Sequence, residues 1–222
     1  MIIEIDKVEA RILGALIEKE ITTPDYYPLT LNSLITACNQ KSNRYPIMTL
    51  DETTTLRALG NLREKKLVWQ VKTPGSRSSK FEHNLKEKFN FSKSEISIIC
   101  VLLLRGHQTS GELKTRTNRL YQFESTVHID SILKHLSENT ENGGPFVVKL
   151  PRLTGQKESR YGHLFCGDIN IDEYLEETVE PARAEIITEN KRIESLEQKV
   201  ASLENELLNL KNRFETFIKE FD

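Results

Sequence analysis

Two four-residue segments of this chain read basic, aromatic, any residue, histidine: Lys80-Phe81-Glu82-His83 and Arg160-Tyr161-Gly162-His163, 80 positions apart. Each sits at the end of the same succession of patterns, so the chain is read as a duplicated unit. In the first unit Val8, Ile12, Ala15 and Leu16 fall on one helical face, and Thr22-Thr23-Pro24 stops that helix. Leu31, Leu34, Ile35 and Cys38 outline a short second helix, and a third starts near Asp51 with Leu56, Leu59 and Leu62 as its buried stripe. The period then changes: residues 67–72 read as a strand, 73–76 as a loop tip and 80–85 as the returning strand. In the second unit residues 95–104 give an apolar helix and Thr109 caps the next. Ile129, Ile132, Leu133 and Leu136 form the stripe of the third, and residues 146–150 pair with 160–165 around Gly155.

Three helices followed by a β-hairpin describe a winged helix, the helix-turn-helix elaboration in which the third helix is the usual recognition element. The expected fold is therefore mainly α with small β-hairpin wings, an α+β chain. Two tandem winged-helix domains, 1–90 and 91–167, precede an acidic linker over 168–182 and a coiled-coil helix over 183–222. The duplicated pattern carries further likenesses. Glu9-Ala-Arg-Ile-Leu-Gly14, Tyr27-Pro-Leu-Thr-Leu-Asn32, Ala37-Cys-Asn-Gln-Lys-Ser-Asn-Arg44 and Leu104-Arg-Gly-His-Gln-Thr-Ser-Gly-Glu-Leu113 resemble the YceH-like family over about residues 6 to 167. That resemblance implies a bacterial protein with tandem winged-helix domains and assigns it no biochemical role.

From Ile193 the apolar positions Leu196, Val200, Leu203, Leu207, Leu210, Phe214 and Phe217 step by three and four residues, a heptad pattern. In a parallel homodimer Arg192 would face Glu197, Lys199 would face Glu204 and Glu206 would face Lys211, all attractive. A helix folded back on its own body is the alternative.

The net charge of −2 conceals an imbalance: residues 168–222 carry 15 acidic and 7 basic side chains (−8), leaving 24 basic and 18 acidic (+6) in residues 1–167. A basic body is compatible with double-stranded DNA. The candidate nucleic-acid contacts are Lys41 and Arg44 in the polar Asn39–Arg44 connection, Arg57 and Asn61 on the first recognition helix, and Arg77 and Lys80 on its wing. Lys134, Arg152, Lys157 and Arg160 are their counterparts in the second unit, with Lys72, Ser131 and Lys149 beside them. Asp51, Glu52 and Glu124 at the starts of the recognition helices oppose that reading and favour an unidentified protein partner.

Other classes find little support. The longest apolar run, residues 98–104, is far short of the roughly 20 residues needed to cross a bilayer. The N-terminus lacks a signal-like pattern, and a cytoplasmic location is expected. Cys38, Cys100 and Cys166 stand apart, without the paired spacing of a zinc site, so neither metal nor cofactor is expected. His83 and His163 are expected to pack and bond within the wings, and Trp69, Tyr121 and Tyr161 to lie in the core. No catalytic motif occurs, and the chain is read as non-enzymatic.

Overall fold

A computed structural model describes residues 3–72, 78–139, 143–153, 155–172 and 174–175. Helix α1 (Lys7–Thr22) begins with a capping box in which the Asp6 carboxylate accepts from the Val8 and Glu9 amides while Glu9 accepts from the Asp6 amide. Residues 9 to 17 are buried without a break, so α1 is covered on all sides rather than along the single face that its large apolar residues suggest. Its two buried charged groups each find partners, although Arg11 Nε makes no hydrogen bond. Glu9 meets Lys65 Nζ at 2.6 Å, and the Arg11 guanidinium donates to the carbonyls of Cys38 (3.2 Å) and Pro46 (2.6 Å).

After a turn at Pro24–Tyr26 come the two-residue strand β1 (Leu29–Thr30), helix α2 (Leu31–Cys38) with Thr30 as its N-cap, and helix α3 (Glu52–Glu64) capped by Asp51. Strands β2 (Val68–Val71) and β3 (Lys80–His83) pair antiparallel, with Val68 opposite His83. The other edge of β3 takes β1, with Leu29 opposite Phe81. Two expectations fail here. Leu85 does not continue the strand but opens helix α4 (Leu85–Phe89), and Leu56 is 45 % exposed while Thr55 and Ala58 fill the face beside Leu59 and Leu62.

The second unit repeats the order. Helix α5 (Lys93–Arg105) carries a Ser92–Glu95 capping box and buries residues 96–104 throughout. Helix α6 (Ser110–Arg116) has the expected Thr109 cap, reinforced by Glu112, and α7 (Thr126–Glu138) is capped by Ser125. Strands β4 (Val147–Lys149) and β5 (Tyr161–His163) pair with Val147 opposite His163. The repeated histidines therefore occupy the same register, each facing a buried valine. The likeness extends further: Gln108 bridges Tyr161 by two backbone bonds, just before the Thr109 cap, as Leu29 pairs with Phe81 just before the Thr30 cap.

A single apolar cluster runs through both units. Helices α1 and α5 approach closely at Gly14, where an added Cβ would lie 2.8 Å from Leu104 Cγ. The Cys100 thiol donates to the Gly14 carbonyl at 3.5 Å. The Ile5 amide reaches across to the Phe165 carbonyl at 2.7 Å, and Phe89 and Phe91, which follow the first hairpin, pack with Phe146 and Phe165, which flank the second, in tilted, edge-on and stacked pairs. The described residues up to Ile169 form one compact unit, and those from Asn170 onward belong to a second. In the second, the Tyr174 amide bonds the Asn170 carbonyl at 3.0 Å. The heptad positions Ile193, Leu196, Val200, Leu203, Leu207, Leu210, Phe214 and Phe217 lie outside the described residues, as does the proposed coiled coil.

Candidate nucleic-acid interface

The polar connection between α2 and α3 is a closed loop. The Asn39 side chain donates to the Leu50 carbonyl at 2.9 Å and accepts from the Leu50 amide at 2.8 Å, pinning the two ends together. Arg44 braces it from within. Its guanidinium is fully buried, meets the Glu18 carboxylate at 2.5 Å and donates to the Ala37 carbonyl, the Asn43 carbonyl and Gln40 Oε1. Arg44 is thereby corrected from phosphate contact to structural support, because its donors are spent inside the protein. Lys41, three residues earlier, is exposed, as are Tyr45 (61 %) and Ile47 (63 %) at the outer side of the loop.

Helix α3 presents Arg57 to solvent and half-buries Asn61. Asp51 caps this helix and is itself solvent-exposed. Bonds from the Thr54 amide and side chain hold its carboxyl below the ordinary range, so a negative charge stands at the helix start. In the first hairpin Lys80 is half-buried and Lys72 exposed; Arg77 lies outside the described residues. Trp69, expected in the core, is 40 % exposed because its position in β2 points away from the covered face.

In the second unit Ser131, Lys134, Lys149, Arg152 and Lys157 are exposed. Lys134 leans toward Glu138 at 3.9 Å, and Lys149 lies 6.0 Å from the centre of the Tyr161 ring. Arg160 is drawn inward: it grips Glu112 through both terminal nitrogens at 2.7 and 3.2 Å and donates to the His107 carbonyl. It is corrected, like Arg44, to a residue that holds the fold. The two units thus each spend one of the nominated arginines on internal support.

The sequence reading passed over a basic run in α6 and the turn after it, Lys114-Thr-Arg-Thr-Asn-Arg119. Lys114 and Arg119 are exposed and Arg116 half-buried. Lys114 Nζ donates to the Glu124 carbonyl and, with Thr115, Asn118, Gln122, Phe123 and Glu124, lines an open polar cleft at the α6–α7 turn. Three cations in six residues are the signal that the sequence carries for it.

The histidines differ from one another. His83 Nε2 lies 2.8 Å from the Glu20 carboxylate on α1, so its partner is a helix rather than its own hairpin, and that bond holds Glu20 below the ordinary carboxylate range. Burial, with His107 nearby, pushes His163 down to about 4, which keeps it neutral. Burial pushes Cys38 up to about 12 and raises Cys100 as well, so both are inert thiols at neutral pH. Among the described residues no cluster of three or more potential ligands could hold a metal, and no helix is long and apolar enough to cross a membrane.

The fold and its surface define a small mixed α/β protein whose two helix-and-hairpin units are matched in register and carry basic side chains outward. The chain belongs to the bacterial family described as "Protein of unknown function, DUF480", whose sequence model matches residues 5–156. The expected membership in a family of uncharacterised bacterial proteins is borne out. A relative from Vibrio campbellii described as a UPF0502 protein is 46 % identical over 205 residues, 90 % of this chain and 92 % of that one. The Geobacter sulfurreducens UPF0502 protein is 45 % identical over the full length of both, and that of Photobacterium profundum 42 % identical over 97 % of this chain and 99 % of its own.

Proposed function

We propose that this chain is a non-enzymatic, cytoplasmic DNA-associated protein built from two winged-helix units, whose C-terminal heptads join two copies. One observation carries the reading: twice, three helices lead into a hairpin that ends with histidine opposite a buried valine. That order is the winged-helix order, and both units turn cations to solvent where such units contact backbone phosphates, Arg57 and Lys72 in the first, Arg152 and Lys157 in the second. Binding of purified protein to random-sequence duplex DNA across a salt series tests it. Each neutralised phosphate contributes a slope of about 0.9 in log affinity against log salt. Reversing the charge of Arg57, Arg152 and Lys157 together should flatten that slope and abolish binding near physiological salt. No binding by the unmodified protein at low salt overturns the reading. Joining of two copies is tested by sedimentation, where Leu203→Asp should convert a dimer to a monomer.

A second reading has its own support. Tyr45 and Ile47 stand exposed on a loop that is pinned at both ends and braced by two arginines, and Asp51 and Glu52 place negative charge at the start of α3. A rigid loop with apolar tips suits a protein partner better than a phosphate backbone. Wild-type affinity for DNA that survives Tyr45→Ser with Ile47→Ser, together with loss in the charge-reversed variant, favours the DNA reading over this one.

A further inference from the structure

The charges around the C-terminus of α5 do not balance. Arg44 is paired with Glu18, while Arg116 (3.6 Å) and Arg160 (2.7 Å) share the single carboxylate of Glu112. Arg105, between these groups, donates to the neutral side-chain oxygen of Asn43, and among the described residues no carboxylate lies within ion-pair distance of it. Four guanidinium groups thus face two carboxylates. Burial first, and then the neighbouring charge of Arg116, pull the Arg105 pKa below its ordinary value; the Glu18 carboxylate opposes this in part, and Arg44 adds a smaller push downward. The negative end of the α5 dipole offsets part of this excess, though a helix end is worth only about half a charge. Lys41, two residues before Asn43, adds another exposed cation from the same loop.

We propose that the seam formed by Arg105 and Arg116, bounded by Asn43, binds a backbone phosphodiester of nucleic acid. The inference rests on the DNA reading above and adds a contact away from the hairpins. A phosphodiester supplies one negative charge and acceptor oxygens suited to guanidinium donors, which is the charge the seam lacks. Arg105 is held in place by Asn43 before the ligand arrives, so little side-chain freedom is lost on binding.

The test supplies the missing charge from within. Asn43 has φ of 60°, a conformation that aspartate tolerates, so Asn43→Asp places a carboxylate against Arg105 without removing any cation. The salt slope for random duplex DNA should fall by about 0.9, one phosphate's worth, and Arg105→Gln should do the same while Arg105→Lys restores most of the slope. An Arg105 that serves only to fasten the loop predicts a raised melting temperature for Asn43→Asp and an unchanged slope, which overturns the proposal. If reversing the charge of Arg57, Arg152 and Lys157 abolishes binding while Asn43→Asp and Arg105→Gln both keep the full slope, this inference fails alone. If the unmodified protein binds no DNA, it falls with the reading beneath it.

Discussion

In the first unit Phe81 has a strand on either side, β2 and β1; in the second, Tyr161 has β4 on one side and only the Gln108 bridge on the other. The threonine that follows each edge partner, Thr30 or Thr109, caps the next helix. The supports then diverge. The first unit fastens its α2–α3 loop with the buried Arg44–Glu18 pair and ties His83 to Glu20, whereas the second holds β5 with the half-exposed Arg160–Glu112 pair and buries His163 near His107. A duplicated backbone plan has therefore been stabilised by a buried ion pair in one copy, and by a half-exposed ion pair with a buried neutral histidine in the other.

Removing the arginines should expose that difference most strongly. Arg44→Ala leaves the Glu18 carboxylate and the Ala37 carbonyl without the donors that Arg44 supplies and should cost about 3–5 kcal/mol, against about 1–2 kcal/mol for Arg160→Ala, whose site is partly open to water. Urea unfolding of the two variants measures both, and equal losses would break the comparison. Acid should separate the histidines next. A histidine whose folded pKa is depressed favours the neutral native state, so its contribution is complete above pH 6.5 and is lost as pH falls toward about 4. Stability should drop by on the order of 3 kcal/mol across that window. His163→Asn should flatten the drop, measured as melting temperature against pH. Glu20 acts at lower pH: its carboxyl is depressed, so its contribution holds above the ordinary glutamate range and disappears only as pH falls through the lowered value.

The contact between the units comes third. Gly14→Ala pushes a methyl group into Leu104 and the Leu103 Cβ, which should cost about 1–3 kcal/mol in a single unfolding transition. Two separate transitions would show that the units come apart on their own. The smallest effect belongs to the caps. Thr109→Ala should cost about 1 kcal/mol, and Asp51→Ser should keep its helix while removing a negative charge. Under the DNA reading Asp51→Ser raises duplex affinity, a change that anisotropy titration would register.

Much of this organisation was legible in the order of residues. Helices α1, α2, α3, α5, α6 and α7 and both hairpins fall where apolar spacing, Pro24 and the Thr109 cap place them. What escaped has identifiable causes. Three-residue steps from Leu62 through Leu59 to Leu56 rotate steadily around a helix with 3.6 residues per turn, carrying Leu56 out of the core, while the small Thr55 and Ala58 that replace it send a weak apolar signal. Strand β1 is two residues long, too short for any alternation to show. Charge is the least legible property. Arg44 and Arg160 look like Arg57 and Arg152 in sequence, and only the carboxylates that meet them, 26 and 48 positions away, decide which are spent internally.

Helix α1 is hidden along nine consecutive residues, and part of its cover is α5, which begins at Lys93. On the ribosome, a chain that has emerged only as far as its first hairpin still shows water the flank of Gly14, and the Ile5 amide waits for a carbonyl at Phe165. The earliest-made helix is thus among the last to be fully enclosed. During synthesis the apolar flank of α1 is an exposed target for chaperones and for neighbouring nascent chains until the second unit arrives.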